Sequence, residues 1–495
     1  MVVIRITVRA LWHTGMVHFH GERAGHFRIR PASGAARAAA ARGSHGGPAG
    51  GRAQRAPGGG HPAAVLPVAR RRPRHGPQHR RRRLRGAGRR GLAHGPAGLR
   101  HPRRAARRPA PDTGPRRPAP SRAAHASGRR PAGGRPDLKA GSPDLASFPR
   151  AEWLKAYRRA LTAAPNDAFG YGDPRGRIEL RTALAEYLSR ARGVRVRPER
   201  IMVCAGFVHG LMLMSEVLRG RGVRDVAVES YGLDVHTNLL DRAGLGLPPL
   251  PFDERGTRVE ELAAGEFGGA GAVLMTAAHQ FPLGGALPPD RRAAVVDWAR
   301  ASGGFVLEDD YDGEFRYDRQ PVGALQGLDP ERVVYLGTAS KSLAPGLRLG
   351  WMVVPEELMG EVVAAKGAAD WVSSAPDQLA FAEFLGSGAY DRHVRASRLR
   401  YRRRRDQLVA AVAAHSPATR VSGIAAGLHA VLALPPGTEQ EALRAAAWHG
   451  LAVQGVDQFR RPGVPATLDG LVVGYATPPD SGWQGALRAL CRVLP

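Results

Sequence analysis

Cysteine is nearly absent: Cys204 and Cys491 are the only two in 495 residues. So few thiols supply neither a disulfide framework nor metal-ligand spacing, and a reducing cytoplasm is the simplest compartment for them. Long apolar runs are missing too. No stretch reaches the roughly 18 apolar residues of a membrane helix, and the opening MVVIRITVRALWHTG lacks the apolar core of a signal peptide. The sequence therefore predicts no membrane span. Lysine is scarce, with only Lys139, Lys155, Lys341 and Lys366. Residues 1–136 contain none, and their only acids are Glu22 and Asp112, against 31 arginines, for a net charge of +29. Removing those residues from the chain's 73 bases and 43 acids leaves 42 and 41, a net charge of +1 for residues 137–495.

The first 136 residues are built from Arg, Pro, Gly, Ala and His, as in RRRPRHGPQHRRRRLRGAGRRG. They carry no sustained helical or strand periodicity and few large apolar residues. Such a composition cannot offset the entropy of ordering, so disorder is expected. Arginine without lysine also resembles a GC-rich gene read out of frame. The functional alternative is a basic arm that neutralises nucleic-acid phosphates without a fold.

From about Asp137 the composition becomes globular. VRDVAVES, GAVLMTAAH, GGFVLEDD and RVVYLGTAS read as short apolar strands that end in polar or small residues. Helical patterns lie between and after them: GRIELRTALAEYLSRA, DRRAAVVDWARAS and PDQLAFAEFLGSG. This alternation predicts an α/β fold with a mostly parallel sheet covered on both faces. Ligands of such sheets bind beyond the carboxyl ends of the strands, where Asp309, His279 and Lys341 fall. The charged stretch DRHVRASRLRYRRRRDQLVAAVAAH predicts a long helix with a solvated arginine face, near the start of a smaller α+β domain. The expected division is an arm over 1–136, a large domain over 137–375 whose first part, 137–170, extends from it, and a small domain over 376–495.

GTASKSLAPGLRLGW is the most informative segment. Lys341 follows a strand among small residues, a setting in which crowding lowers an amine's pKa and makes it a nucleophile. Thr338, Ser340 and Arg348 are the residue types that hold a phosphate. FVLEDDYDGEFRY sets acids and a tyrosine at the end of the preceding strand. A carboxylate there could keep a pyridine nitrogen protonated; Asp309 is the candidate, with Asp310 and Asp312 as alternatives, and Tyr311 would donate to a phenolic oxygen. MVCAGFVHGLML reads as a strand, a glycine turn and a helix start, which suits phosphate capture by backbone N–H groups. Tyr231 could stack on a ring, and His279 and Gln280 could reach a ring oxygen.

In this order, YGYGDPRG, HQFPLGG, EDDYDGEFRY and SKSLAPGLRLGW resemble fold-type I aminotransferases that use pyridoxal 5′-phosphate (PLP). More narrowly, they resemble the effector domain of the MocR branch of GntR-type regulators. The resemblance implies PLP bound as a Schiff base on Lys341, with Asp309 on the pyridine nitrogen and Tyr311 on the ring oxygen. It assigns Arg348 and Thr338 to the phosphate with backbone at Gly206 and Phe207, Tyr231 to ring stacking, and Tyr171 to the segment that reaches a partner subunit's site. It also implies a homodimer. Three departures stand out: Ala205 replaces a hydroxyl residue before the phosphate-loop glycine, ESYGLD is shorter than the common stacking segment, and Val472 stands where an arginine often grips the substrate carboxylate. Arg460 or Arg461 could substitute. The winged helix-turn-helix of MocR-type proteins has no counterpart pattern in residues 1–136.

The sequence thus reads as an aminotransferase-type PLP domain acting on amino acids and 2-oxo acids in the cytoplasm. The alternative is a DNA-binding regulator for which PLP, or its imine with an amino acid, is the signal. If residues 1–136 are only a basic arm, the full chain retards random and native upstream DNA equally in a gel shift, and raising the salt abolishes both. Retention of one sequence at physiological salt would contradict this.

Overall fold

The computed structural model describes residues 135–263, 267–317 and 322–495; the arm expected over 1–136 lies outside them except for its last two residues. Strands β1 (Ile201–Cys204), β2 (Asp225–Glu229) and β3 (Pro249–Leu250) precede a short hairpin of β4 (Phe252–Asp253) and β5 (Gly256–Thr257). Then come β6 (Ala270–Met275), β7 (Phe305–Asp310), β8 (Val333–Thr338) and β9 (Gly350–Val353). All but the hairpin form one sheet in the order β1-β9-β8-β7-β6-β2-β3. Pairing is parallel from β8 through β3, and β9 runs antiparallel to both its neighbours. This is the mostly parallel α/β sheet that the sequence predicts.

The helices are α1 (Arg150–Ala163), α2 (Ile178–Arg192), α3 (Phe207–Gly220), α4 (Asp234–Arg242), α5 (Pro289–Ser302), α6 (Glu356–Ala369), α7 (Ala375–Gly386), α8 (Ala389–His415), α9 (Glu439–Trp448) and α10 (Asp480–Cys491). Their limits follow local chemistry. Helix α5 opens with Pro289, whose missing N–H costs nothing at that position, and closes at Gly303 with φ +73°. The strands are apolar on both sides because both faces are covered. Along β8, Val334 and Leu336 pack with α3 and α6, whereas Tyr335 packs with α2 and α7.

A second, antiparallel sheet follows, made of β10 (Arg420–Ser422), β11 (Ala430–Ala433), β12 (Gln454–Gly455) and β13 (Gly470–Val473) in the order β10-β11-β13-β12. Its core is shared with α8, α9 and α10. Helix α8 is the long helix expected from the arginine-rich stretch, with Arg392, Arg395, Arg402 and Arg403 exposed. Arg404 departs from the expected solvated face. It is buried, and its Nη1 donates to the carbonyls of Tyr475 (3.1 Å), Ala476 (3.3 Å) and Pro478 (2.7 Å). Its Nη2 donates to Asp144 (3.2 Å) and Asp480 (2.6 Å). Among the described residues, no helix is long and apolar enough to cross a membrane.

Arg404 therefore joins the start of the described chain to its end through one desolvated cation. Arg404→Ala strands the buried Asp144 and three carbonyls, and should cost about 3–5 kcal/mol of stability. Urea unfolding measures this; a loss under about 0.5 kcal/mol, the range of an ordinary surface change, would contradict it.

Candidate functional site

Parallel strands β2, β6, β7 and β8 point their carboxyl ends the same way, and the residues just beyond them enclose a cavity of about 370 Å³. Tyr231, Thr276, Asp309, Tyr311, Thr338, Ser340 and Lys341 line it, together with Phe207 and Arg348. The antiparallel turn from β8 to β9 folds the lysine segment back on itself, with Ala339 N–H donating to Leu349 O at 3.0 Å. Lys341 Nζ donates to Gly141 O, and desolvation in the cavity wall lowers its pKa, against the pull of Asp309 and Asp312.

Strand β7 sorts its acids by alternation. Asp310 faces away from the cavity and takes a bidentate pair from Arg192 (2.7 and 2.9 Å) and a hydrogen bond from Tyr335 (2.8 Å). Glu308, on the same side, accepts from the N–H groups of Leu325 (2.7 Å) and Gln326 (3.1 Å). Asp309 faces the other way, into the cavity, and is 6% exposed. Burial raises its pKa well above the carboxylate range, opposed by Lys341 and reinforced by Asp310 and Asp312. Its Oδ1 has no hydrogen-bond partner. Of the three acids that the sequence left open, Asp309 alone lines the cavity.

Arg348 adds a cation to the cavity wall beside the start of α3. Gly206 caps α3 with φ +84°, a conformation that favours glycine. A Cβ there would lie 3.0 Å from the Arg348 guanidinium, so the glycine keeps a cradle open beside the first free N–H groups of α3. Arg348 itself has a left-handed backbone (φ 52°), a strained state for a non-glycine residue, and donates to Ala205 O. Thr338 Oγ1 donates to Ser340 Oγ at 2.9 Å. The N–H of Ala205 is occupied by His209 Nδ1 (3.0 Å), so Ala205 offers the cradle neither a hydroxyl nor a free backbone donor.

The other expected residues divide between the cavity wall and positions away from it. His279 and Gln280 do not line the cavity; Phe281 does. His279 Nδ1 lies 2.8 Å from Asp312 Oδ2 and 3.0 Å from the Tyr311 hydroxyl, so it braces Tyr311 from behind. Gln280 Nε2 donates to the carbonyls of Tyr231 (3.3 Å) and Phe281 (2.9 Å), bracing the loop. Tyr231 is buried on the cavity wall with an unpartnered hydroxyl. Tyr171 is 91% exposed and borders a separate cavity with Val372 and Gln378. Sequence reasoning missed Phe281, Thr276, Glu229 and Phe459, all on the wall. An aromatic or a threonine in a loop carries no signal that separates a site wall from core.

The model of the family described as aminotransferase class I and II matches residues 137–466. The chain belongs to this family. Among its relatives, the uncharacterized HTH-type transcriptional regulator YhdI of Bacillus subtilis is 34% identical over 68% of this chain and 71% of that protein. The probable rhizopine catabolism regulatory protein MocR of Rhizobium meliloti is 30% identical over 68% of each. Among solved structures, an archaeal alanine:glyoxylate aminotransferase superposes with a TM-score of 0.66 at 24% identity, covering 73% of this chain and 90% of that one, a likeness of fold. The family is PLP-dependent, and the cavity suits that cofactor. The cavity wall offers an orphaned carboxylate oxygen suited to a ring N–H, a glycine-cleared cationic cradle suited to a phosphate, and a lysine.

A depressed amine pKa leaves more neutral, reactive lysine at any given pH. In cofactor-free protein, competitive acetylation of Lys341 should titrate with a midpoint below the ordinary 10.5 of a lysine. A midpoint at or above that value would contradict the assigned desolvation.

Proposed function

We propose that this cavity binds PLP on Lys341 and that the domain transfers amino groups between an amino acid and a 2-oxo acid. The observation that carries the reading is the unpartnered Oδ1 of buried Asp309 in the same cavity wall as Lys341. PLP, when bound, supplies an electron sink for the bond broken at the amino acid's Cα. The protein's residues would do the rest. Asp309 would keep the pyridine nitrogen protonated, and Tyr311, braced by His279 and Asp312, would donate to the ring oxygen. Arg348, Thr338 and the N–H groups at Gly206 and Phe207 would hold the phosphate, and Tyr231 would supply a stacking surface for the pyridine. The Lys341 amine takes and returns the proton at Cα.

His279 and Gln280 are assigned to support of the site, not to cofactor contact. Tyr171, exposed in the single chain, is assigned to a homodimer contact. A boundary near residue 375, between a PLP-binding part and a smaller C-terminal part, belongs to the same reading, as does a cytoplasmic location suited to two unbonded cysteines. The second reading is a DNA-binding regulator that senses PLP or an amino acid through this site. It is favoured by the HTH-type regulators among the relatives.

Borohydride reduction of PLP-loaded protein followed by peptide mapping should place the label on Lys341; label on Lys139, Lys155 or Lys366 would overturn the assignment. Asp309→Asn should slow the half-reaction with amino acids by on the order of 10²-fold or more while the fold survives. Asp310→Asn should act instead on stability, because it breaks the pair with Arg192. The reverse pattern would contradict the choice of carboxylate.

A further inference from the structure

Val472, on β13, occupies the position where the family resemblance places a carboxylate-gripping arginine. It is fully buried in an apolar cluster with Tyr231, Phe281, Tyr311 and Phe459. That wall has no charge to offer a carboxylate. The lysine and arginine side chains lining the cavity are Lys341, Arg348 and Arg461. The first two already have roles in the cofactor reading. His236, also on the wall, is held neutral with a pKa of about 3 by burial and by the neighbouring Arg461 and Lys341.

Arg461 is fixed in place by its backbone. Tyr231 and Arg460 form an antiparallel bridge, Gly232 N–H donates to Phe459 O (2.8 Å), and Arg461 N–H donates to Ser230 O (2.9 Å). The residue is 7% exposed. Its Nη1 donates to Thr237 Oγ1 (2.7 Å) and Asp234 Oδ1 (3.3 Å), and its Nη2 to Leu233 O (3.3 Å). Its Nε–H has no partner. In a planar guanidinium, Nε–H and one Nη2–H lie parallel on the same edge, at the spacing of a carboxylate's two oxygens. A Cβ at position 232 would lie 2.7 Å from Nη2, so glycine there leaves the guanidinium its room. Arg460, the neighbouring candidate, does not line the cavity; its Nε is spent on Asp457 (2.7 Å) and its Nη1 on Val464 O.

We propose that Arg461 binds the α-carboxylate of the amino acid or 2-oxo acid through its Nε–Nη2 edge, taking over from the position held by Val472. The ligand class that fits is a monocarboxylate with an apolar side chain. One cationic edge is free, and Phe281, Phe459, Leu233 and Val235 supply apolar wall. This inference rests on the PLP reading, and it holds equally for turnover and for sensing.

Isothermal titration of hydrocinnamate and of succinate into the PLP-loaded full chain tests it. Hydrocinnamate should bind more tightly than succinate. Arg461→Met should weaken hydrocinnamate about 10- to 100-fold, the worth of a charge-assisted hydrogen-bonded pair, with PLP affinity unchanged. Arg461→Lys keeps the charge but not the fork, so it should recover part of the loss. Gly232→Ala keeps the arginine but crowds it, so it should also weaken hydrocinnamate, and it decides the matter if Arg461→Met does not fold. Failure of the wild type to bind PLP would overturn the cofactor reading. Normal PLP binding with hydrocinnamate affinity unchanged in Arg461→Met, or in Gly232→Ala where that variant decides, would overturn this inference alone. Succinate binding as tightly as hydrocinnamate would overturn the monocarboxylate class.

Discussion

A carboxylate buried with one oxygen unpaired is the constraint on which the rest of this site depends. Isolating such a charge from water costs several kcal/mol unless a cation or donor meets it. Asp309 is held in that state by β7, whose alternation turns Glu308 and Asp310 to the other side, where backbone N–H groups, Arg192 and Tyr335 satisfy them. The cation nearest to easing the cost is Lys341, which desolvation in turn drives toward neutrality. Each group is unstable alone. A cationic ring nitrogen beside Asp309 and a carbonyl carbon for Lys341 would satisfy both together.

The fold supplies this pairing through direction. Four parallel strands deliver Tyr231, Thr276, Asp309 and Lys341 to one edge, while antiparallel β9 brings Arg348 back beside Gly206. The second sheet closes the cavity from the other side. Val431, Val456 and Val472 pack with Phe281 and Tyr311 in one apolar cluster, which leaves that wall uncharged where the family resemblance places an arginine.

Much of this was legible in the sequence because strand ends and glycine turns are local signals. Asp309, Tyr311, Thr338, Lys341 and Arg348 all fall on the cavity wall. The resemblance singled out Asp309, but local pattern alone left Asp310 and Asp312 open, because their roles depend on partners 118 residues away at Arg192 and 33 residues away at His279. His279 and Gln280 show a related limit of local signals. A loop's position after a strand says which end it occupies, but not which of its side chains turns inward, and here Phe281 does. The arginine count of α8 suggested a uniformly solvated face and hid Arg404, whose acceptors lie 71 to 76 residues further on, apart from Asp144 at the start of the fold.

Whether the domain turns over amino acids or only senses them, both readings need the same protonated ring held by Asp309. Nitrogen-15 NMR of the protein loaded with PLP labelled at the pyridine nitrogen measures that proton directly. A pyridinium shift in the wild type that moves to the neutral pyridine value in Asp309→Asn is the result expected here. A neutral pyridine in the wild type, or a pyridinium that survives Asp309→Asn, would contradict it.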